Sequence, residues 1–481
     1  MPDIHAVYRY FEEISAIPRA SGKEEQISAY LCRFAKEHGL AYHRDCLYNV
    51  VIKKPASAGC EQHPAVMLQG HQDMVCEKRS SVAHDFDREG ITLVRDGDFL
   101  TADGTTLGAD NGIAVAMMLA ILADDSLAHP PLECVFTTQE EVGLVGAKGL
   151  DASLLSAKTM INLDSEEEGV ATVSCAGGLR VDLTRVCETT PTTGAFGCTV
   201  SVDGLTGGHS GMDIDAGRAN ANKLMGRLLS RLPMPFGIAD LHGGNKDNAI
   251  PRDSTATLAF AEEASRDAAL VSLRETATLL AAEWRDAEPT FYCRCEPTVV
   301  DGAVMSDACS RDLVRLITLA PNGVQSRDIR QANFVVSSVN LGVVQAKDGH
   351  VAVTFAPRSS VGSLQQEMKE RLSALADTFG YQTVFSGEYP GWAYAAQSPI
   401  RDVCCEVYRA LFGKELQCEA IHAGLECGLF QEKLPGLDAI AIGPDMANVH
   451  TPDERLDLAS CERVYRMVCR VLETLAASTD R

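Results

Sequence analysis

The sequence predicts an α/β fold in which an open sheet with helices on its faces is interrupted by an inserted α+β region. Three observations support this prediction. The chain has 481 residues, which is too long for one ordinary core. Helical and strand patterns alternate over residues 1–180, and the same alternation resumes in the last hundred residues. A hydrophobic fraction of 46% and a charged fraction of 23% are typical of globular proteins.

The alternating pattern assigns two separate parts of the chain to one catalytic domain. In the first part, residues 1–180, we predict helices at 5–15, 23–38 and 111–123 and strands at 47–53, 65–70, 132–138 and 159–163. In the second part, residues 389–481, we predict a helix at 399–412, the strand LDAIAIG at 437–443 and a helix at 458–476. Because both parts have the same alternation, we expect them to share one sheet.

Residues 181–388 form the predicted insert, and they show two related successions of strand and helix patterns. The first has GCTVSVDG, a helix at 216–231, NAIPRDSTATLAFAEE and a helix through Trp284. The second has NFVVSSVNLGVV, HVAVTFAPRSSVGS and a helix at 363–379. A Pro-Arg-x-Ser motif lies beside a predicted strand in each succession, at 251–254 and at 357–360. The sequence therefore predicts an insert of two similar halves.

Charge and cysteine content narrow the class of protein. The formal net charge of -23 argues against nucleic acid as a partner, because nucleic-acid binding needs a concentrated basic surface. The 17 cysteines are odd in number and show no paired C-x-x-C framework, so we expect reduced thiols. We find no signal-peptide pattern and no apolar stretch of membrane-spanning length, which predicts a cytoplasmic protein without a membrane partner.

Ionisable side chains follow the predicted strands or begin a predicted helix. They are His71 and Asp73 in GHQDM, Asp110 in GADNG, Glu140 and Glu141 in TQEEVG, Asp164 in INLDSEE and His450 in NVHTPDE. Groups at the carboxyl ends of strands in an open α/β sheet converge on one edge. Each motif alone has an ordinary structural explanation, such as a helix N-cap for Asp110 or a charged turn for the glutamate pair. Their common position favours a shared site.

Two histidines and several carboxylates are ligands of the kind that hold zinc or similar divalent ions. Asp110 is the natural bridge between two ions, because its position at a turn exposes both carboxylate oxygens. Asp73 lies two residues after His71 and can orient its ring. One member of the pair Glu140 and Glu141 can bind metal while the other takes a proton from water. These roles predict a hydrolase.

The chain resembles the co-catalytic zinc peptidase family of aminoacylases, carboxypeptidases and dipeptidases. The motifs GHQDMV, LGADNG, TQEEVGLVGA, INLDSEE and VHTPDE carry the resemblance in this order, and CAGG, HSGMDI, NAIPR and HAGLECG are similar to the branch that cleaves aminoacyl-histidine dipeptides. The resemblance covers nearly the whole chain. It implies a zinc-exopeptidase-like catalytic domain with a central mixed sheet and an inserted lid. It also implies hydrolysis of dipeptides with a free N-terminus, including Xaa-His and β-alanyl-histidine.

The same resemblance implies a role for each matching residue. One ion would bind His71 and Asp164, the other would bind Glu141 and His450, and Asp110 would bridge them. Glu140 would be the base, Asp73 the orienting acid, and a cis peptide bond would follow Asp110. The ions would be two Zn²⁺, with Co²⁺ and Mn²⁺ as alternatives because they accept the same ligands.

The resemblance also implies substrate contacts. His209 in TGGHSG would polarise the scissile carbonyl, although a surface loop histidine is an ordinary alternative. Asn248 in NAIPR and Arg358 in APRSS would hold the substrate carboxylate, for which a guanidinium is well shaped. Glu426 in HAGLECG would receive the free amino group, with His422 as the rival residue.

Two other functions stay open on the sequence. One is an N-acyl amino acid deacylase or other amidohydrolase, whose substrates lack the amine that Glu426 would receive. The other is a non-catalytic metal-binding relative, against which the complete ligand set and Glu140 argue.

In smaller relatives a lid of one subdomain dimerises and lends its histidine to the partner. The larger insert here predicts that the site is completed within one chain, while a homodimer through other surfaces stays compatible with the sequence.

Overall fold

The structure is a computed structural model that describes residues 3–232, 235–329 and 334–478. The described chain divides into two compact units. We call them the sheet unit (residues 3–175, 392–420 and 425–478) and the insert unit (residues 176–391 and 421–424, with the stated gaps). No helix within the described ranges is both long enough and apolar enough to cross a membrane.

The first segment of the sheet unit alternates helices with strands, as the sequence predicted. Its elements are α1 (Ile4–Ser15), α2 (Glu25–Glu37), β1 (Ala41–Arg44), β2 (Val50–Lys54), β3 (Val66–His71), β4 (Leu93–Asp96), β5 (Phe99–Ala102), α3 (Ala109–Ala123), β6 (Leu132–Thr137), α4 (Val145–Gly149), β7 (Thr159–Asn162) and β8 (Val170–Cys175).

The insert unit is built mainly from long antiparallel strands and four helices of ten residues or more. Its elements are β9 (Gly177–Val186), β10 (Thr189–Asp203), β11 (Gly208–His209), α5 (Ala221–Ser230), β12 (Gly237–Gly243), β13 (Ala249–Ile250), β14 (Ser254–Phe260), α6 (Glu263–Glu283), β15 (Tyr292–Met305), α7 (Asp307–Leu319), β16 (Gly323–Asp328), β17 (Phe334–Lys347), β18 (His350–Ser359), α8 (Gly362–Phe379) and β19 (Gln382–Tyr389).

The C-terminal segment returns the chain to the sheet unit. Its elements are α9 (Pro399–Phe412), β20 (Gln417–Ile421), α10 (Glu426–Lys433), β21 (Asp438–Ala441), β22 (Met446–Ala447), β23 (Arg455–Asp457) and α11 (Leu458–Ala477). Strand β21 pairs in parallel with β7, so both ends of the chain share one sheet. This confirms the prediction made from the shared alternation.

The main sheet is mixed, with strand order β1-β2-β6-β3-β7-β21-β8-β20. Its four central strands, β6, β3, β7 and β21, run parallel. Their register aligns the carboxyl ends, since His71 pairs with Thr137 and Asn162 pairs with Ala441. The segments that follow these strands therefore leave from one edge of the sheet.

Helix α3 is the central helix of this unit. Its sequence GIAVAMMLAILA is apolar on all sides, and the helix is buried from Asn111 to Leu122. It packs against α1 and β3. A side chain at Gly70 would overlap Asn111 and Ala114 of this helix, so glycine allows β3 and α3 to approach closely. This approach brings the end of β3 beside the start of α3.

The insert sheet has strand order β15-β10-β14-β12-β17-β18-β9-β19, with β16 paired to β17. Its halves, β12-β14-β10-β15 and β17-β18-β9-β19, have the same order, and they meet where β12 pairs with β17. The predicted duplication is therefore present. The two Pro-Arg-x-Ser motifs, however, are not at equivalent positions in the two halves. The motif at 251–254 lies at the start of β14, whereas the motif at 357–360 lies at the end of the equivalent strand β18.

One predicted helix boundary differs markedly. The helix expected from residue 216 begins at Ala221, and a separate 3-10 turn occupies Ile214–Ala216. Gly217 has φ of 66° and separates the two, and the Asn220 side chain accepts a hydrogen bond from the Lys223 amide. The helix therefore starts at a local N-cap that its apolar periodicity does not show.

Candidate metal centre

Ionisable residues converge at the carboxyl edge of the central parallel strands. His71 ends β3, Asp110 lies at the start of α3, Glu140 and Glu141 follow β6, Asp164 follows β7, and His450 lies between β22 and β23. All of these residues belong to the sheet unit. They form groups of potential metal donors whose ligand atoms lie within 4.8 Å of one another.

Two donor triads share the carboxylate of Asp110. In the first, His71 Nε2 lies 3.1 Å from Asp110 Oδ1 and 3.6 Å from Asp164 Oδ1. In the second, His450 Nε2 lies 3.0 Å from Asp110 Oδ2 and 3.0 Å from Glu141 Oε1. Each oxygen of Asp110 therefore faces a different histidine, as a bridging ligand requires.

The donor set fits two divalent ions of the zinc type. Imidazole and carboxylate are borderline-hard and hard ligands that suit Zn²⁺, Mn²⁺ and Co²⁺. Burial would raise the pKa of Asp110, but its hydrogen bonds with His450 and His71 hold that pKa well below its usual range. Hydrogen bonds to Asp110 and Glu141 raise the pKa of His450 to about 11. The Asp110 carboxylate thus carries a negative charge that a cation can neutralise.

Asp73 contacts both the first histidine and the glutamate pair. His71 Nδ1 lies 3.1 Å from the main-chain oxygen of Asp73 and 3.3 Å from its Oδ1, so both neighbours of this nitrogen are acceptors. We assign the proton to Nδ1, which leaves Nε2 free to bind a metal. The same carboxylate accepts hydrogen bonds from the amides of Glu140 (3.1 Å) and Glu141 (3.4 Å) and from the Ser21 hydroxyl (2.7 Å). Asp73 therefore positions a histidine and a turn together.

The two glutamates after β6 have different surroundings. The Glu141 carboxylate points at His450 within the triad of Asp110, Glu141 and His450, whereas Glu140 belongs to a different donor group, with His71 and Glu141. Burial raises the pKa of the Glu140 carboxyl well above its usual range, and the negative charges of Asp164 and Glu426 raise it further. The structure also has a cis peptide bond between Asp110 and Asn111, as the resemblance implied.

Glu426 begins helix α10. Its side chain is fully buried in the sheet unit, where Oε2 accepts hydrogen bonds from Gln69 (2.5 Å) and Thr137 (2.6 Å). The other oxygen, Oε1, has no hydrogen-bond partner among the described residues. Burial raises the pKa of Glu426 to about 7. The residue is thus a buried carboxyl beside the ends of β3 and β6.

In the insert unit, His209 is held in a defined tautomer. Its Nδ1 accepts hydrogen bonds from the amides of Gly211 (3.3 Å) and Met212 (3.1 Å), so the proton lies on Nε2. Burial lowers the pKa of His209, and the positive charge of Arg358 lowers it further. The ring is therefore neutral near pH 7 and has one N–H group to donate.

The other predicted substrate groups of the insert unit lie around His209. Arg358 is the penultimate residue of β18 and donates from Nη1 to the Tyr389 hydroxyl at 2.8 Å, and its buried Nε has no partner among the described residues. Asn248 is exposed, and its main-chain oxygen accepts a hydrogen bond from Ser210 at 2.9 Å. Buried His422 lies 2.7 Å from the Ser338 hydroxyl through Nε2, and burial lowers its pKa to about 4. His422 is therefore a neutral group.

Two buried charged residues that the sequence did not single out support the metal centre. Glu454 is 2% exposed and accepts hydrogen bonds from the main-chain amides of residues 107–110. Arg19 is also 2% exposed and donates to the main-chain oxygens of Gln72, Asp73 and Gly108. Glu454 lies inside the motif VHTPDE, so its place four residues after His450 was a signal that could have been used.

Comparisons with known proteins cover nearly the whole chain. The model of peptidase family M20/M25/M40 matches residues 67–474. The cytosol non-specific dipeptidase of Escherichia coli strain K12 is 38% identical over 475 residues, which are 97% of each sequence.

Solved structures are similar as well. Aminoacylhistidine dipeptidase from Vibrio alginolyticus has a TM-score of 0.91 at 35% identity, covering 98% of this chain and 96% of that chain. Aminopeptidase PepT from Bacillus cereus has a TM-score of 0.57 at 15% identity, covering 98% and 99% respectively, and shows a shared fold alone.

Proposed function

This chain belongs to peptidase family M20/M25/M40, and from that premise we propose that it is a dinuclear metal-dependent dipeptidase that hydrolyses dipeptides with a free N-terminus. One observation carries the proposal. The two oxygens of Asp110 face His71 and His450 at 3.1 and 3.0 Å, each within a separate donor triad. A carboxylate shared by two triads is the arrangement that a two-ion hydrolase needs.

Five side chains would hold the ions. His71 and Asp164 would bind one, Glu141 and His450 would bind the other, and Asp110 would bridge them. When bound, such ions polarise the scissile carbonyl and make water a stronger acid. We propose Zn²⁺ as the native metal, with Co²⁺ and Mn²⁺ able to occupy the same ligands.

Glu140 would move the proton. Its carboxylate stays outside the two triads that share Asp110, and its amide is fixed by the Asp73 carboxylate. A carboxylate in this place can accept a proton from the attacking water and return it to the leaving amine nitrogen. Asp73 would keep this base and the His71 ring in a fixed mutual position through its two contacts.

Residues of the insert unit would recognise the substrate. His209 would donate its Nε2 proton to the carbonyl oxygen that becomes negative, which its neutral tautomer permits. Arg358 would bind the terminal carboxylate with its guanidinium, and Asn248 would contribute its side-chain amide. Glu426 would receive the free amine, and the neutral state of His422 makes it the weaker candidate for that role.

The printed names of the relatives guide the proposed substrate class. One is called a cytosol non-specific dipeptidase and another an aminoacylhistidine dipeptidase. We therefore propose activity on several dipeptides, Xaa-His and β-alanyl-histidine among them, in the cytosol. We also propose that each active site is completed by residues of one chain.

A dipeptide panel tests the proposal. The purified protein, loaded with Zn²⁺, Mn²⁺ or Co²⁺ in turn, is assayed against free dipeptides, their N-acetylated counterparts and tripeptides. We expect turnover of free dipeptides, with Xaa-His peptides among the substrates, and loss of turnover after chelation. Turnover of the acetylated peptides alone would instead identify a deacylase.

A further inference from the structure

Beneath the proposed metal centre lies a buried carboxylate that no step of the mechanism uses. We propose that Glu454 is a positioning residue that fixes the spacing between Asp110 and His450, and with it the affinity for the ion that these two ligands share. This inference rests on the metal centre of the proposed function and requires no particular peptide substrate.

The side chain of Glu454 holds the turn that carries Asp110. Its Oε2 accepts hydrogen bonds from the amides of Leu107 at 2.8 Å and Gly108 at 3.0 Å. Its Oε1 accepts hydrogen bonds from the amides of Ala109 at 2.8 Å and Asp110 at 3.3 Å. The first amides of a helix have no intrahelical partners, and here one carboxylate satisfies those of Ala109 and Asp110 together with the two amides that precede the helix. The main chain of Asp110 is therefore fixed to Glu454.

The main chain of Glu454 is fixed, in turn, to the loop that carries His450. The Glu454 amide donates to the Thr451 main-chain oxygen at 3.1 Å. The Thr451 hydroxyl donates to the Asn448 main-chain oxygen at 2.7 Å and accepts from the Asp453 amide at 3.2 Å. His450 has φ of 63°, so its conformation depends on this closed loop. Side-chain and main-chain contacts of Glu454 thus connect the two ligands.

Arg19 completes this support from the opposite side of the turn. Its Nη2 donates to the Gly108 main-chain oxygen at 2.5 Å, and its Nη1 donates to the Asp73 main-chain oxygen at 3.1 Å. The Glu454 carboxylate therefore holds Gly108 at its N–H, and the Arg19 guanidinium holds it at its carbonyl oxygen. A side chain at Gly108 or Gly112 would overlap the Arg19 guanidinium, so glycine leaves room for this group at both positions.

A positioning role makes a prediction that a purely structural role does not. If Glu454 only stabilised the fold, any variant of equal instability would bind metal equally well. If it sets the distance of 3.0 Å between His450 Nε2 and Asp110 Oδ2, its loss must weaken binding of the ion between these two ligands more than binding of the other ion, which would contact only Asp110 of this pair. Removing groups that orient metal ligands commonly lowers affinity by about 10- to 100-fold.

Glu133 offers a matched control in the same unit. Its carboxylate is also buried and accepts hydrogen bonds from the amides of Ser156 and Ala157. It lies near the start of β6, at the opposite end of that strand from Glu140. Glu133→Gln therefore removes a comparable buried carboxylate without touching the proposed ligands.

The experiment measures stepwise Zn²⁺ binding to the metal-free full chain by competition with a chromophoric chelator. We expect Glu454→Gln to weaken one of two ions by about 10- to 100-fold, because an amide nitrogen cannot accept hydrogen bonds from two backbone amides. Glu133→Gln should lower thermal stability and keep both affinities. In a His450→Ala background, Glu454→Gln should cause little further loss, because the shared site is already broken.

Several results would overturn the proposal. Wild-type affinity for both ions in folded Glu454→Gln would do so, and so would equal losses in the Glu454 and Glu133 variants or additive losses in the double variant. Should Glu454→Gln fail to fold, Glu454→Asp keeps the charge beside Arg19 but is one methylene shorter, and it must show the same selective loss. Absence of dipeptide turnover in the wild type would refute the proposed function and leave these binding results unaffected.

Discussion

The two units hold their polar groups in opposite ways. In the sheet unit, ionisable side chains face one another: Asp110 lies within 3.1 Å of His71 and His450, and Glu141 lies 3.0 Å from His450. In the insert unit, His209 is held by two backbone amides and His422 lies against a hydroxyl. The first arrangement concentrates carboxylates that a divalent cation can neutralise. The second fixes neutral donors in place without one.

This difference predicts how the units respond to substitution. Groups that face a shared cation depend on one another, so their loss should appear in metal content. Groups held by the backbone act one at a time, so their loss should appear in substrate binding or turnover. Four substitution experiments can break or sharpen this contrast.

The largest effect is expected within the glutamate pair of the sheet unit. Glu140→Ala should lower kcat by about 10²- to 10⁴-fold, the usual cost of removing a general base, while both ions stay bound. Glu141→Ala should lower the metal content, because its carboxylate faces His450 at 3.0 Å. Metal analysis and kinetics on the same preparations check both statements. Equal metal loss in the two variants would contradict the division of roles.

The next effect concerns Arg358 of the insert unit. Arg358→Ala should lower kcat/KM by about 100-fold, mainly through KM, because a charged hydrogen-bonding partner of the substrate carboxylate contributes about 1.5–3 kcal/mol. Metal content should stay unchanged. Arg358→Lys should give an intermediate loss, since lysine keeps the charge without the forked geometry.

Arg185→Lys is the matched control for the second prediction. Arg185 lies on the same sheet and is paired with Asp312 at 3.0 Å. Its substitution should leave KM unchanged. A change in metal content in the Arg358 variants would contradict the expectation that substitutions in the insert unit leave metal binding unaffected.

The sequence predicted the sheet unit well because its signals are local. Apolar runs gave the parallel strands, and the polar residues directly after them, such as His71 and Asp164, had to lie at one edge. The structure brings these residues together, while their roles stay predictions. The cis peptide bond after Asp110 followed from the family resemblance alone, because spacing and composition carry no signal for it.

What the sequence missed depends on contacts between distant segments. Arg19 meets Gly108 across 89 positions, and no local pattern marks it. Glu454 meets residues 107–110 across about 345 positions, and only its place in the motif VHTPDE marks it. The small sheet β22-β23-β5-β4 is likewise built from two remote segments. In the insert, the two Pro-Arg-x-Ser motifs aligned the repeats incorrectly. The equivalent strands are identified by their order in the sheet, and four identical residues do not mark them.

A smaller effect is expected from the buried carboxyl of Glu426. Burial raises its pKa from 4.5 to about 7, so the folded state binds more protons than the unfolded state between these values. The free energy of unfolding should therefore fall as pH rises through this window, by on the order of 2 kcal/mol. Glu426→Gln cannot ionise and should remove this part of the pH dependence.

Denaturant unfolding at pH 5 and pH 7.5 in the presence of a chelator measures the contribution of Glu426. The chelator is needed because bound cations would stabilise the ionised form. The difference between wild type and Glu426→Gln isolates this carboxyl from other groups that titrate in both proteins. Parallel pH dependence in the two proteins would contradict the prediction.

The smallest effect, no change at all, is expected when inactive chains are mixed. The insert contains two halves of equal strand order joined by the pairing of β12 with β17 inside one chain. A second chain is then not needed to supply the second half, and His209 should serve the active site of its own chain. Mixing His209→Ala with Glu140→Ala under conditions that allow subunit exchange should restore no activity. Sites completed between chains would instead recover about a quarter of wild-type activity in a randomly mixed dimer, since half of the dimers would be hybrids with one intact site each. Such a recovery would show that the duplicated insert does not replace a partner subunit. It would also mean that the substrate-recognising residues of each insert act in the active site of the neighbouring chain.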